Sequence, residues 1–390
     1  MRWLLVHLPS ALLLTLLVPI IWPHDGAGDT FFFWFAGHLV VTGVSPYDQN
    51  AWAAASDYGS LARNVVSMCT PTVNEPTCLW KYPPTTAFLF APFALFDVRE
   101  GLNALALFVF VTAAASVVAV GQWMRARSQA TLAIFLCACV ISHPFVFDVY
   151  TSHFVGLCVI ALISLAVGLT RRHVAPVVFG ALLLSLKPHL FVGLAVVVLA
   201  LLVSRRDWRT IAWTIGVVGA ANGIALLRYP DAIGALLAGA APIIGLGWAT
   251  TWAFASSLFP SAVLGVAVVY AIAVAGFVIA VHFTQEDQRV DVLVAGGAAI
   301  ALALSPYVHP YDILVLFPAF GLVLALGETI IRPIRAVLLI TTAATLTCGT
   351  WLAIAGSGTV TALPGVLPVV VLSLLAITAW AARAHGATTA

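Results

Sequence analysis

Charge is scarce in this chain. Asp, Glu, Lys and Arg together make up 8% of its 390 residues, against 62% hydrophobic ones, where a soluble domain carries roughly a quarter charged residues. The 17 basic and 15 acidic residues are scattered over short loops, so there is no basic patch of the kind that holds nucleic acid. A carboxylate pair of the DxD type is also missing, and with it the usual anchor for a divalent metal; neither metal nor cofactor is expected. Acidic groups are too few within the apolar runs for an evident ion relay, and no inverted repeat stands out. Both absences weaken a secondary transporter of a small solute or ion, which stays as the alternative, as does a non-enzymatic scaffold. Cysteine is sparse too: of six, Cys137, Cys139, Cys158 and Cys348 fall inside apolar runs, where a thiol acts as a small hydrophobe. Cys69 and Cys78 lie in a polar loop and would form a disulfide if that loop meets an oxidising compartment, or remain two free thiols.

What the chain does have is a succession of apolar runs of about 20 residues, the length that crosses a bilayer as a helix. This predicts an all-α polytopic membrane protein of about twelve transmembrane helices, one integral domain over residues 1–390. Residues 3–22 read as a retained first helix, since their core is long and the following "IWPHDGAG" is a weak cleavage site. Arg2, "SRRDWR" (204–209), "QEDQR" (285–289), "IRPIR" (331–335) and Arg383 recur at intervals that suit the cytoplasmic side. The loop 23–82 is then the first extracytoplasmic loop. Residues 83–96, short and interrupted by Pro92, suit a re-entrant or interfacial segment; this keeps "MRARSQ" and "TRRH" (170–173) with the other arginines and puts His143, Asp148 and His153 on the opposite face. The run 174–204 must break at "LKPHL", because Pro188 removes a backbone donor and clashes with the preceding turn.

Several polar residues stand out against this background. Asp29 opens "TFFFWFAGHLVVTG", a helix of about four turns ending near Gly43 that should lie in the outer interface. It can be the helix N-cap, a binding or catalytic carboxylate, or both. "SPYD" (45–48) turns the chain, with Asp48 able to bond backbone amides. Trp80 and Tyr82 in "WKYPPTTAF" suit an interfacial belt. Lys187 and His189 flank Pro188 where an unpaired ammonium is expensive, which marks a pathway, a cavity or an anionic partner unless the lysine snorkels outward. "LSPYVHPYDILVLFP" (304–318) gathers Tyr307, His309, Tyr311 and Asp312 between two helices, as caps or as a site.

In their order these residues resemble glycosyltransferase family 87. The acid before an aromatic stretch, then Ala36 and Gly37, Gly43, the turn Ser45-Pro46-Tyr47-Asp48, Tyr82-Pro83-Pro84, the pair Lys187-Pro188, and Ser305-Pro306-Tyr307 with Tyr311 and Asp312 carry the likeness. Phe33 stands where many members have tyrosine, and "YTSH" (150–153) where a Gly-Gln is common. The paired His of the related phosphatidylinositol-mannoside mannosyltransferases is absent from 308–312, where His309 is the nearest equivalent.

The resemblance implies the type C glycosyltransferase fold, with a long first outer loop carrying interfacial helices, in a bacterial inner (plasma) membrane with the active site on the extracytoplasmic face. It implies inverting transfer of a hexose, mannose being the family's best-known sugar, from a polyprenyl-phosphate donor to a lipid-linked or glycan acceptor, for cell-envelope glycolipid synthesis. Membrane lipids and these two substrates are the expected partners. Asp29 would be the general base; Lys187, His189 and His309 would meet the donor phosphate; and Lys81, Tyr82, Tyr307, Tyr311 and Asp312 would contact sugar or acceptor.

Overall fold

A computed structural model describes residues 2–21, 29–62, 80, 82–124, 128–240, 250–251, 262–286, 288–305, 308–328, 330, 332–351 and 365–389. No strand occurs among them. The α-helices of seven residues or more are α1 (Arg2–Ile21), α2 (Thr30–Val41), α3 (Pro84–Phe90), α4 (Val98–Trp123), α5 (Gln129–Ile141), α6 (His143–Tyr150), α7 (Val155–Arg171) and α8 (Val174–Leu184). They continue with α9 (Pro188–Ser204), α10 (Trp208–Arg228), α11 (Ala232–Ala240), α12 (Ala262–Phe283), α13 (Arg289–Leu304), α14 (Phe317–Gly327), α15 (Arg332–Ala344) and α16 (Leu367–Thr389). The break expected at "LKPHL" is present: α8 stops at Leu184 and Pro188 opens α9 in the first-turn position that tolerates proline.

The expected count of twelve crossings is not what the described residues supply. Five segments are long and apolar enough to cross a membrane, or six when α5 and α6, bent by 46°, act as one. The other apolar helices run 10–17 residues. Residues 84–95 form α3 and a short 3-10 turn (Ala91–Leu95), too short to cross, in keeping with a segment that enters and stays on one side.

α2 packs inside the protein rather than lying on its surface. Eight of its 12 residues are buried in protein, because its rings find other rings: Phe33 meets Trp80, Tyr82, Phe90, His153 and Phe154, and Phe35 meets Trp52 and Tyr58. Gly37 permits this closeness, since a Cβ there would lie 2.5 Å from the Phe90 carbonyl oxygen. Gly37→Ala should therefore cost about 1–3 kcal/mol by overpacking, read as a lower unfolding temperature; an unchanged one would mean that the α2–α3 contact is loose.

Hydrogen bonds order the two ends of the bundle. At one end Arg205 donates to the Leu169 carbonyl (2.8 Å), Trp123 to Asp291 (3.3 Å), and the Ser128 amide to Glu328 (2.9 Å). The basic segments 170–173 and 204–209 thus share this arginine end. The start of α2, the α6–α7 joint and the α8–α9 break lie at the other, as the short reading of residues 83–96 requires. Asn222 on α10 joins Thr85 (3.1 Å) to Ser185 (3.4 Å), whereas Arg228 reaches Gly43. Those six residues of helix correspond to about 9 Å, so the α8–α9 break is recessed below the rim.

Candidate active site

Asp29 occupies the N-cap position of α2, yet its side chain makes no capping bond. Its backbone amide donates to Thr151 (3.2 Å), and Thr30 donates to the Ser152 hydroxyl (2.7 Å), so the helix start is tied to the α6–α7 turn. The carboxylate is free to go elsewhere, and it meets His153: Oδ2 lies 2.6 Å from Nε2, with Asp29 30% exposed and His153 2%.

The turn is built to aim that histidine. Ser152 has φ +57°, a left-handed conformation rarely taken by a residue with a Cβ. His153 donates its amide to the Asp148 carbonyl, while the Asp148 carboxylate accepts the first amides of α7, Val155 (3.1 Å) and Gly156 (3.3 Å). Asp148 thereby satisfies a helix end. His143 instead packs on Phe147 and Trp351. The His153 ring stacks on Tyr311 at 3.6 Å between centroids, and His309 stacks on Tyr311 at 4.9 Å.

Lys187 stands between α8 and α9 with 1% exposure. Its Nζ lies 2.9 Å from Asp312 Oδ1, and Asp312 is equally enclosed. The second Asp312 oxygen accepts the His309 amide (2.9 Å). The rings of Tyr311, Phe154 and Tyr82 surround the ammonium at 4.9, 5.1 and 5.9 Å, a favourable setting for a cation. Sequence had sent Lys187 to the donor phosphate and Asp312 to the sugar; in the structure they meet each other. The reason is cost, since neither charge could be buried alone.

Tyr82, half-buried, accepts the Tyr47 hydroxyl at its carbonyl (2.6 Å), which links the "SPYD" turn to the site. His189 lies within electrostatic reach of Asp312 and Lys187. The structure thus gathers Asp29, Tyr82, Lys187, His189, His309, Tyr311 and Asp312. Lys81, Tyr307, Cys69 and Cys78 lie outside the described residues. Sequence reasoning placed His153 with His143 and Asp148 on the outer side but gave it no role; it falls in "YTSH", where the family pattern is broken. Among the described residues no group of three or more His, Cys, Asp or Glu side chains could hold a metal ion.

Burial pushes the Asp29 carboxyl up, but the hydrogen bond from His153 and the positive surroundings of His153, His309 and Lys187 outweigh it, leaving the group below the ordinary carboxylate range. Burial lowers His153 against the pull of Asp29. His309 is pushed down to about 4, by burial first, with His153 and Lys187 adding to it and Asp312 and Asp29 opposing. At neutral pH the pair is therefore a carboxylate with a neutral imidazole whose N–H donates to it. For stability the sign follows: between pH 4 and 6.5 the unfolded chain binds more protons at His309 than the folded one. Stability should rise with pH across that window and level off above it, read from unfolding temperatures of the detergent-solubilised protein. A flat profile would contradict the buried, neutral assignment.

A helical bundle with several membrane-length apolar helices and a recessed polar cluster defines an integral membrane protein with a site among its helices. Compared with known families, the chain matches glycosyltransferase family 87 over residues 80–306, more than half its length, and it belongs to that family. It is a membrane glycosyltransferase. Tyr82, His153, Lys187 and His189 fall within the matched stretch; Asp29, His309, Tyr311 and Asp312 lie outside it. No curated protein and no solved structure matches the chain.

Proposed function

We propose that this chain moves a hexose, mannose foremost, from a polyprenyl-phosphate donor to a lipid-linked or glycan acceptor on the extracytoplasmic face of a bacterial plasma membrane, with Asp29 as general base. The observation that carries the reading is the state of Asp29: at a helix start but not capping it, partly open, ionised, and fixed by a buried histidine. A base needs this combination of access and fixed direction.

The acceptor hydroxyl gives its proton to Asp29 as its oxygen bonds to the anomeric carbon. The bond from that carbon to the phosphate oxygen breaks, and polyprenyl phosphate leaves with the electron pair, so the configuration inverts. His153 orients the carboxylate. His309 and His189 would donate hydrogen bonds to the phosphate, while the Lys187 charge, neutralised by Asp312, acts only through its field. Of the residues assigned to the sugar, Tyr82 is the accessible one; Tyr311 and Asp312, 4% and 1% exposed, hold the histidines and the lysine in place. Lys81 and Tyr307 remain candidates for substrate contact.

The helix that begins beside Lys187 supports a lipid-linked donor. α9 turns Val192, Val196, Leu199 and Val203 outward, a helical stripe suited to hydrocarbon. A donor in the bilayer can approach along it. Residues 1–390 then form one catalytic membrane domain with the loop 23–82 on the acceptor side, where Cys69 and Cys78 would pair.

Sidedness is read from the excess of arginine at the end away from Asp29, where 171–172, 205–209 and 335 lie, against Arg99 and Arg228 at the near end. Right-side-out membrane vesicles supplied with a short-chain, water-soluble polyprenyl-phosphate mannose should form a mannosylated lipid, and sealed inside-out vesicles should not. The reverse pattern would refute the placement.

A further inference from the structure

The three non-glycine residues with positive φ among those described are Ser152, beside the site, and two arginines at the opposite end, Arg172 (φ +56°) and Arg206 (φ +54°). Both arginines follow the end of a helix in the same way. The His173 amide returns to Gly168 (2.9 Å) and the Asp207 amide to Leu202 (3.0 Å), each closing a helix whose left-handed position is usually glycine. Putting arginine there costs conformational free energy that glycine would not. Orienting the chain in a membrane does not require it, because an arginine one or two residues away would serve equally.

These two positions face one cavity. Its volume is about 380 Å³, and Arg172, Arg205, Arg206, Arg209 and His173 line it. The one carboxylate present, Asp207, is engaged in capping α10 through the Thr210 amide (3.2 Å) and hydroxyl (2.7 Å). Among the described residues none of the four arginines forms an ion pair. Val177 and Leu202 line this cavity and also a second, apolar groove of about 480 Å³ between α8, α9 and α10, walled by Phe191, Leu194, Val198 and Ile215. A cationic chamber that continues into a hydrocarbon-lined groove matches an amphiphile with an anionic head.

We propose that the arginine end binds an anionic phospholipid of the adjoining leaflet, its headgroup phosphate between Arg172, Arg206 and Arg209 and one acyl chain in the groove. Planar guanidinium groups suit phosphate oxygens, and the groove distinguishes a lipid from a free ion. The headgroup chamber lies at the end away from the catalytic cluster, whereas the groove reaches Ser185 and Pro188 at the α8–α9 break and shares Val192 and Leu199 with the stripe assigned to the donor, so the arginines carry the test.

The test uses the full chain purified in mild detergent, mixed with equal amounts of phosphatidylglycerol and phosphatidylcholine and weighed intact by native mass spectrometry. Phosphatidylglycerol should be retained preferentially. At about fivefold per arginine, the double variant Arg172→Gly/Arg206→Gly should retain it roughly 20- to 30-fold less, while its Tm rises because the left-handed strain is relieved. Arg209→Gln, which alters no strained position, should lose about fivefold, and Arg383→Gln, a basic residue outside the cavity, should lose none. Equal retention of the two lipids, unchanged retention in the cavity variants, or an equal loss in Arg383→Gln would overturn the proposal. Displacement of the lipid by inorganic phosphate would also overturn it, assigning the chamber to a free anion.

Discussion

Asp29→Asn should abolish most sugar transfer while leaving the fold intact. Asparagine has the shape of aspartate, and its carbonyl oxygen can still accept the hydrogen bond from His153, so α2 and the 151–154 turn should stay where they are. What is lost is the proton acceptor. A positioned base contributes about 100-fold to 10,000-fold, so the initial rate should fall by that much with little change in unfolding temperature. The partner should behave differently. His153→Gln keeps a donor toward the carboxylate but no longer titrates, and should retain part of the activity with a weaker acid-side dependence. His153→Phe leaves the carboxylate unheld and should lose more. Equal rates for Asp29→Asn and the wild type would remove Asp29 from the chemistry.

Lys187→Met should destabilise the protein by about 3–5 kcal/mol, because it leaves the Asp312 charge enclosed without a counter-ion. The double variant Lys187→Met/Asp312→Leu should recover much of that loss, since replacing both members of a buried pair by apolar groups is often neutral. Thermal unfolding in detergent measures both. The recovered protein should nonetheless be a poor enzyme: the His309 amide loses its Asp312 acceptor, and the rings around Lys187 lose the cation that gathers them. A lysine serving only as a phosphate contact would instead change KM and leave the unfolding temperature of the single variant untouched.

Local features of this molecule were legible in its sequence. Pro188 announced the α8–α9 break, and "SPYD" announced a turn in which Asp48 accepts the Asn50 amide at 2.9 Å. Each is encoded within a few neighbouring residues. The burial of α2 was misjudged because bilayer and protein interior are equally apolar, so an aromatic helix suits both until its ring partners are known. The count of about twelve crossings goes beyond the five or six segments of membrane length among the described residues, because run length alone does not say which apolar helices are cut short or folded against others. The pairing of charges was beyond reach. Asp29 and His153 are 124 residues apart and Lys187 and Asp312 are 125 apart, so nothing local says that Asp29 turns from its own helix to a histidine, or that the lysine is matched before any substrate arrives. His153 was dimmed further by standing where the family pattern fails.

The central claim is that a carboxylate held by a histidine takes the acceptor proton during transfer from a lipid-phosphate sugar. The most direct measurement incubates the purified protein with extracted envelope lipids and, in parallel, polyprenyl-phosphate mannose or a nucleotide-linked mannose, and reads products by mass spectrometry and anomeric configuration by NMR. A mannosylated product of inverted configuration, formed from the polyprenyl-phosphate donor alone, is the result expected. Transfer from the nucleotide sugar, retention of configuration, or no product from any polyprenyl-phosphate monosaccharide would contradict it.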